Sequence, residues 1–304
     1  MNMQPTVFQL AIVCAGLLIA AYVLIAVLLF VPATSQVAKQ SLPNIGSMTI
    51  TILLTVGSFT IGGWVQVIFV TVIFARINFE AASVIWHRMP SSIKLNPTKA
   101  ALLVSFVSLC LLGVTLLMPI RVAILATGLT LLVAAGLAVV LKGKKLGLLF
   151  EMIAFPFCPV LIFALAAQRV EYAALALAAY ILVETFDSYA FIGGKLWGRH
   201  KAFAKLSPRK TVEGLAVGGV MLLLTAGIAG FVLSGTPLKT SLSFAAVTAV
   251  LAITGDLAAS GIKRRSAVKD YPVVARYQGG LLDVYDSWIT TVAGLVLVLL
   301  VFSI

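Results

Sequence analysis

The chain has 304 residues, of which 61% are hydrophobic and 11% charged, with a formal net charge of +12. A soluble domain is about a quarter charged, so this composition excludes a soluble enzyme or binding module and points to an integral membrane protein. Lipid cannot satisfy free backbone groups, so the expected fold class is an all-α polytopic membrane protein.

A span needs about 20 apolar residues. Runs of that kind fall near 7–31, 47–62, 64–86, 100–118, 121–141, 147–168, 171–192, 213–234, 241–262 and 287–304. Only Gly62-Gly63 separates the second from the third, so about nine or ten transmembrane helices are expected. The first run lacks a basic leader and reads as a retained helix, not a cleaved signal peptide. Cys14, Cys110 and Cys158 all lie in apolar runs, with neither a disulfide framework nor metal-ligand spacing.

Charge orients the layout. With ten spans, 18 of the 22 Lys and Arg residues fall on one side, Arg76 falls inside a span, and only Arg121, Arg169 and Lys239 fall on the other side. Positive charge favours the cytoplasmic side, which predicts cytoplasmic basic loops, both termini outside, and a multi-pass protein of the cell's inner (plasma) membrane. This asymmetry accounts for the net charge without any nucleic-acid partner. Seven of the ten acids lie after residue 183. One integral membrane domain over 1–304 is therefore expected, with 1–170 mainly anchoring and 171–304 carrying the chemistry.

Two stretches concentrate polar residues. The first starts at Glu184 and Asp187, passes Gly193-Gly194, Lys195, Gly198, Arg199 and His200, and continues through Ser207-Pro208-Arg209-Lys210-Thr211-Val212-Glu213-Gly214. Its glycines permit close backbone approach to a ligand, and its bases suit phosphate oxygens. Ser207-Pro208 followed by Thr211 and Glu213 reads as a helix start with Pro in the first turn, which offers free N–H groups to an anion. An ordinary basic cytoplasmic loop is the plainer reading, but it leaves Glu184 and Asp187 unexplained.

The second stretch holds Asp256, Ser260, Lys263, Arg264, Arg265, Lys269, Asp270, Gln278, Gly279-Gly280, Asp283 and Asp286. Asp256, Ser260 and Lys263 share a helical face. The plainer reading pairs Asp256 with Lys263 or Arg264 at a helix end. Asp283 and Asp286, three apart, also share a face if helical. Such oxygens suit Mg²⁺, which takes one or two carboxylates plus phosphates and water. The plainer reading here is first-turn acids stabilised by the helix dipole. A carboxylate near the bilayer core is costly unless paired, hydrated or metal-bound.

These residues resemble the signature of the CDP-diacylglycerol synthase (phosphatidate cytidylyltransferase) family. Ser260, Lys263-Arg264, Lys269-Asp270, Gly279-Gly280, Asp283 and Asp286 fit its spacing without a gap, as does the stretch from Asp187 to Gly214. Arg76 and Glu80 are similar to a weaker upstream family position. The resemblance implies transfer of a cytidylyl group from CTP to a lipid phosphate, giving CDP-diacylglycerol and pyrophosphate in phospholipid biosynthesis. It also implies Mg²⁺ as cofactor and CTP and the membrane lipid phosphate as partners; a homodimer is compatible with this.

By the same resemblance Asp256, Lys263, Asp283 and Asp286 would be catalytic, and Asp256, Asp283 and Asp286 would bind the metal. Asp187, Ser207, Lys210, Thr211, Glu213, Ser260, Arg264, Lys269, Asp270 and Gln278 would bind substrate. The chain departs from the pattern at Gln278 for His, Val284 for Arg, Tyr189 for Gly, Tyr271-Pro272 for Ser-Gly and Arg276-Tyr277 for Pro-Gly. Because the acids survive, an active divergent enzyme is favoured. The alternatives are a relative acting on a polyprenyl phosphate and a non-catalytic lipid-binding membrane protein.

Overall fold

The computed structural model describes residues 6–89, 96–141, 143–274 and 279–302. Among them the chain is almost entirely helical. The helices are α1 (Val7–Phe30), α2 (Pro32–Ile61), α3 (Gly63–Trp86), α4 (Pro97–Leu116), α5 (Ile120–Leu141), α6 (Lys144–Met152), α7 (Cys158–Ala167), α8 (Val170–Trp197), α9 (Val212–Ser234), α10 (Leu238–Arg265) and α11 (Leu281–Phe302). A π-helical turn, Ile153–Phe157, joins α6 to α7, and two short antiparallel strands, β1 (Lys201–Phe203) and β2 (Ser207–Thr211), lie between α8 and α9.

Nine of these segments, counting α6 to α7 as one, are long and apolar enough to cross a membrane, or ten if the two arms of α2 count as one span. The expected run at 47–62 is the second arm of α2, which carries Pro43 inside it and bends by 50°. A proline removes a backbone donor and clashes with the preceding turn, which is an ordinary cause of such a bend. The span expected at 147–168 is interrupted in the same way, with non-helical backbone at Phe155 before Pro156.

Local signals fix the ends. Thr6 and Gln9 form a reciprocal capping box at the start of α1. Asn96 caps α4 ahead of Pro97. Gly235, at φ 59°, closes α9 in the left-handed region.

The chain divides into two compact units, Met1–Val65 with Ala173–Ile253, and Gln66–Tyr172 with Thr254–Ile304. In the first, α1 lies along α2, and α8 packs on α9 through Leu182, Phe186, Leu222 and Ala226. In the second, α7 packs on α11, where Phe163 meets Trp288 edge-on with ring centroids 4.6 Å apart. Lipid tails are as apolar as leucine, so such contacts stabilise by close packing and not by escape from water.

Candidate active site

In the second unit the polar residues of α3, α10 and α11 converge on the start of α11. A helix start leaves N–H groups without intrahelical partners. Two carboxylates fill that need here. Asp283 Oδ2 accepts from Gly280 N at 2.9 Å and from Tyr271 N at 2.8 Å. Glu80, on α3 and fully buried, accepts from Leu281 N at 3.0 Å through Oε1 and from Leu282 N at 2.9 Å through Oε2.

Two cations complete the charge balance. Lys263 Nζ, near the end of α10, donates to Asp283 Oδ1 at 2.5 Å, with both side chains nearly buried. Arg76 Nε donates to Glu80 Oε1 at 2.8 Å, and its Nη2 reaches the Pro272 carbonyl at 3.2 Å. Buried charges tolerate removal from water only when paired and hydrogen-bonded, and both carboxylates meet that condition.

The paired glycines make this geometry available. Gly279 has φ 88°, and an added Cβ would sit 2.6 Å from Asp283 Oδ2. At Gly280 an added Cβ would sit 2.5 Å from Glu80 Oε2. Tyr271 lies beneath the cluster. Its ring faces Lys263 Nζ at 5.4 Å, and its hydroxyl donates to the Ala259 carbonyl at 3.2 Å. Burial, and then the carboxylates of Asp286 and Asp283, push the phenol above its ordinary pKa, so it stays a protonated donor.

Asp286 lies one turn further along α11 and is buried, with Oδ1 accepting from Ser287 N at 2.6 Å. There α10 and α11 touch at Gly255, where a Cβ would sit 2.5 Å from the Asp286 carbonyl oxygen. Asp256 follows Gly255 and is partly buried. Ser260 is buried on the same helix, and Arg264 is exposed in its last turn. Lys269 and Asp270 are exposed in the loop beyond, 3.9 Å apart. Gln278 lies outside the described residues.

Among the described residues no set of three or more His, Cys, Asp or Glu side chains is gathered to hold a metal ion. Asp283 is turned toward Lys263 and two backbone N–H groups, and Asp256 and Asp286 lie on α10 and α11 at the Gly255 contact. Of the two partners expected for Asp256, Lys263 and Arg264, Lys263 makes its ion pair with Asp283. A Mg²⁺ shell completed by phosphates and water needs only one or two carboxylates, and the buried Asp286 with Asp256 beside the Gly255 contact fits that donor set.

In the first unit the polar stretch is more regular than expected. Helix α8 continues to Trp197, so Asp187 is helical and not in a loop. Ser207 to Thr211 is strand β2, and the helix starts only at Val212, with Thr211 accepting from Gly214 N as its cap. The expected helix start at Ser207-Pro208 is thus four residues early, because Ser207 pairs with Phe203 and Thr211 with Lys201 across the hairpin. Lys210 Nζ stands 3.7 Å from Asp187 Oδ1. Glu213 accepts from the backbone N–H groups of Arg199 and His200 at 3.0 and 3.2 Å, closing the hairpin.

The glycines here serve helix packing. A Cβ at Gly214 would sit 2.5 Å from the Ala190 carbonyl, and one at Gly218 2.5 Å from the Phe186 carbonyl. Small residues four apart let membrane helices approach closely, and α8 and α9 use them so.

The sequence model of the cytidylyltransferase family matches residues 43–302. A phosphatidate cytidylyltransferase of Staphylococcus saprophyticus is 37% identical over 112 residues, covering 36% of this chain and 43% of that protein. One from Staphylococcus haemolyticus is 37% identical over 113 residues with the same coverage. An Escherichia coli protein named uncharacterized protein YnbB is 38% identical over 112 residues, 36% of this chain and 37% of its own length. The matched segments thus span less than half of these relatives. The family match covers most of the chain, and the chain belongs to the cytidylyltransferase family.

Proposed function

We propose that this member of the cytidylyltransferase family transfers the cytidylyl group of CTP to a lipid phosphate, phosphatidate, giving CDP-diacylglycerol and pyrophosphate. The observation that carries the reading is the buried Lys263–Asp283 pair at the start of α11, one turn from the buried Asp286. Neither acid is needed to orient or anchor a membrane protein.

In the reaction a lipid phosphate oxygen attacks the α-phosphorus of CTP. A new P–O bond forms, the α–β bridging P–O bond breaks, and pyrophosphate leaves with the electron pair. The nucleophile is already an anion, so the site needs no general base. Its task is to cancel charge and align the two anions.

Lys263 supplies a positive charge that Asp283 and the Tyr271 ring hold in one orientation. Arg264 and Lys269, both exposed, are suited to phosphate oxygens. Asp286, with Asp256, would hold a divalent metal. When bound, the metal neutralises phosphate charge and lowers the barrier to in-line displacement. By resemblance, Asp187, Ser207, Lys210 and Thr211 would serve the nucleotide. Glu213 would act indirectly, through the hairpin it closes.

Purified protein in phosphatidate-containing nanodiscs, supplied with Mg²⁺ and CTP labelled at the α-phosphate, tests the reading. Label should pass to the lipid with one pyrophosphate released per transfer. Its absence with phosphatidate but presence with a polyprenyl phosphate would reassign the acceptor.

A further inference from the structure

We propose that Glu80 is a positioning residue for the reaction above, on which this inference rests: it fixes the first turn of α11 and, through that turn, the Asp283 carboxylate that holds Lys263. Glu80 is 0% exposed, and the two backbone N–H groups that donate to it, those of Leu281 and Leu282, lie about 200 positions away in sequence. A local ion pair with Arg76, four residues earlier on the same helix, would not need that reach.

The chemistry explains why a carboxylate stands here. Oε1 takes the Leu281 N–H and Arg76 Nε, and Oε2 takes the Leu282 N–H. Every partner is a donor. A carboxylate accepts on both oxygens, whereas a glutamine amide must present an NH₂ to one of those donors. Glu80→Gln is therefore not a silent isostere at this position.

The same residues grip the other side of Asp283. Arg76, aligned by Glu80, donates to the Pro272 carbonyl, next to Tyr271, whose N–H donates to Asp283 Oδ2. Gly280 donates to that oxygen as well, and its lack of a Cβ admits Glu80 Oε2. Among the described residues, both backbone donors to Asp283 Oδ2 thus stand next to groups that Glu80 or Arg76 holds.

The test uses the full chain in nanodiscs with Glu80→Gln, Gly280→Ala, Asp283→Asn and the double variant Glu80→Gln/Asp283→Asn. Thermal unfolding and monodispersity check folding. Gly280→Ala displaces the Glu80 contact while leaving the carboxylate intact, so it replaces Glu80→Gln if that variant does not fold. Backbone exchange in a peptide covering residues 281–284 should quicken about tenfold, because the first-turn acceptors are lost. Lys263 should label faster with an amine reagent.

Turnover should fall about tenfold or more with the KM for CTP within about twofold, and Glu80→Gln should add less than about twofold in the Asp283→Asn background. Unchanged exchange and Lys263 labelling in a folded variant would overturn the proposal. So would equal turnover losses with and without Asp283. If the wild type makes no CDP-lipid, the functional reading fails by itself, and exchange and labelling still decide the role of Glu80.

Discussion

Lys263 and Asp283, twenty residues apart in sequence, meet at 2.5 Å, with both side chains nearly buried. The pair links the end of α10 to the start of α11, and the same Asp283 carboxylate accepts two backbone N–H groups. Removing either member leaves the other charge buried without its counterpart, which typically costs about 3–5 kcal/mol.

Asp283→Asn and Lys263→Met should each lower cytidylyl transfer by about two to three orders of magnitude. The double variant should be little worse than either single one, since the two act as a unit. Transfer rates measured across this cycle check the pairing; additive losses would show that the residues act separately.

Asp286 should differ from Asp283 in how it responds to metal. Asp286→Asn should raise the Mg²⁺ concentration needed for half-maximal rate by about tenfold or more, as expected on losing one of at most two carboxylate ligands. Asp283→Asn should slow the reaction with that midpoint nearly unmoved. Mg²⁺ titrations of both variants distinguish the roles, and matching shifts would return Asp283 to the metal.

Much of this was legible in the sequence. Composition set the fold class, and the acids among apolar residues pointed to the stretch in which Lys263 and Asp283 pair. The site's detail was not legible, for physical reasons. Glu80 looks like half of an (i, i+4) pair with Arg76, and only folding shows that it caps a helix about 200 residues later. Glu151, which receives Arg88 and Arg265, carries no local sequence signal either. The motif glycines read as ligand-approach positions, yet Gly214, with Gly218 one turn further on, admits a neighbouring helix, a use that spacing alone cannot separate from the other. Pro208 suggested a helix start because strand pairing with 201–203 is invisible in a five-residue window.

Helix packing gives a prediction independent of activity. Gly218→Val should destabilise the first unit by about 1–3 kcal/mol, because its side chain would enter the space of the Phe186 carbonyl. Gly219→Val, at a position with nothing within 4 Å, should be tolerated. Thermal unfolding in a fixed lipid mixture compares them; equal shifts would show that α8 and α9 do not depend on that contact.

Orientation follows from charge. With 18 of 22 basic residues assigned to one side, a cysteine at position 199 should label from the cytoplasm and one at 239 from the opposite side. The measurement needs a background in which Cys14, Cys110 and Cys158 are replaced. Labelling of both positions from one side would contradict the layout.

The most direct test of the central claim is transfer of label from α-phosphate-labelled CTP to phosphatidate by the purified chain in nanodiscs with Mg²⁺. The account predicts labelled CDP-diacylglycerol, one pyrophosphate per transfer, and a loss of about a hundredfold or more in Asp283→Asn. A folded, Mg²⁺-supplied protein that neither transfers label to any lipid phosphate nor binds CTP at millimolar concentration would contradict it.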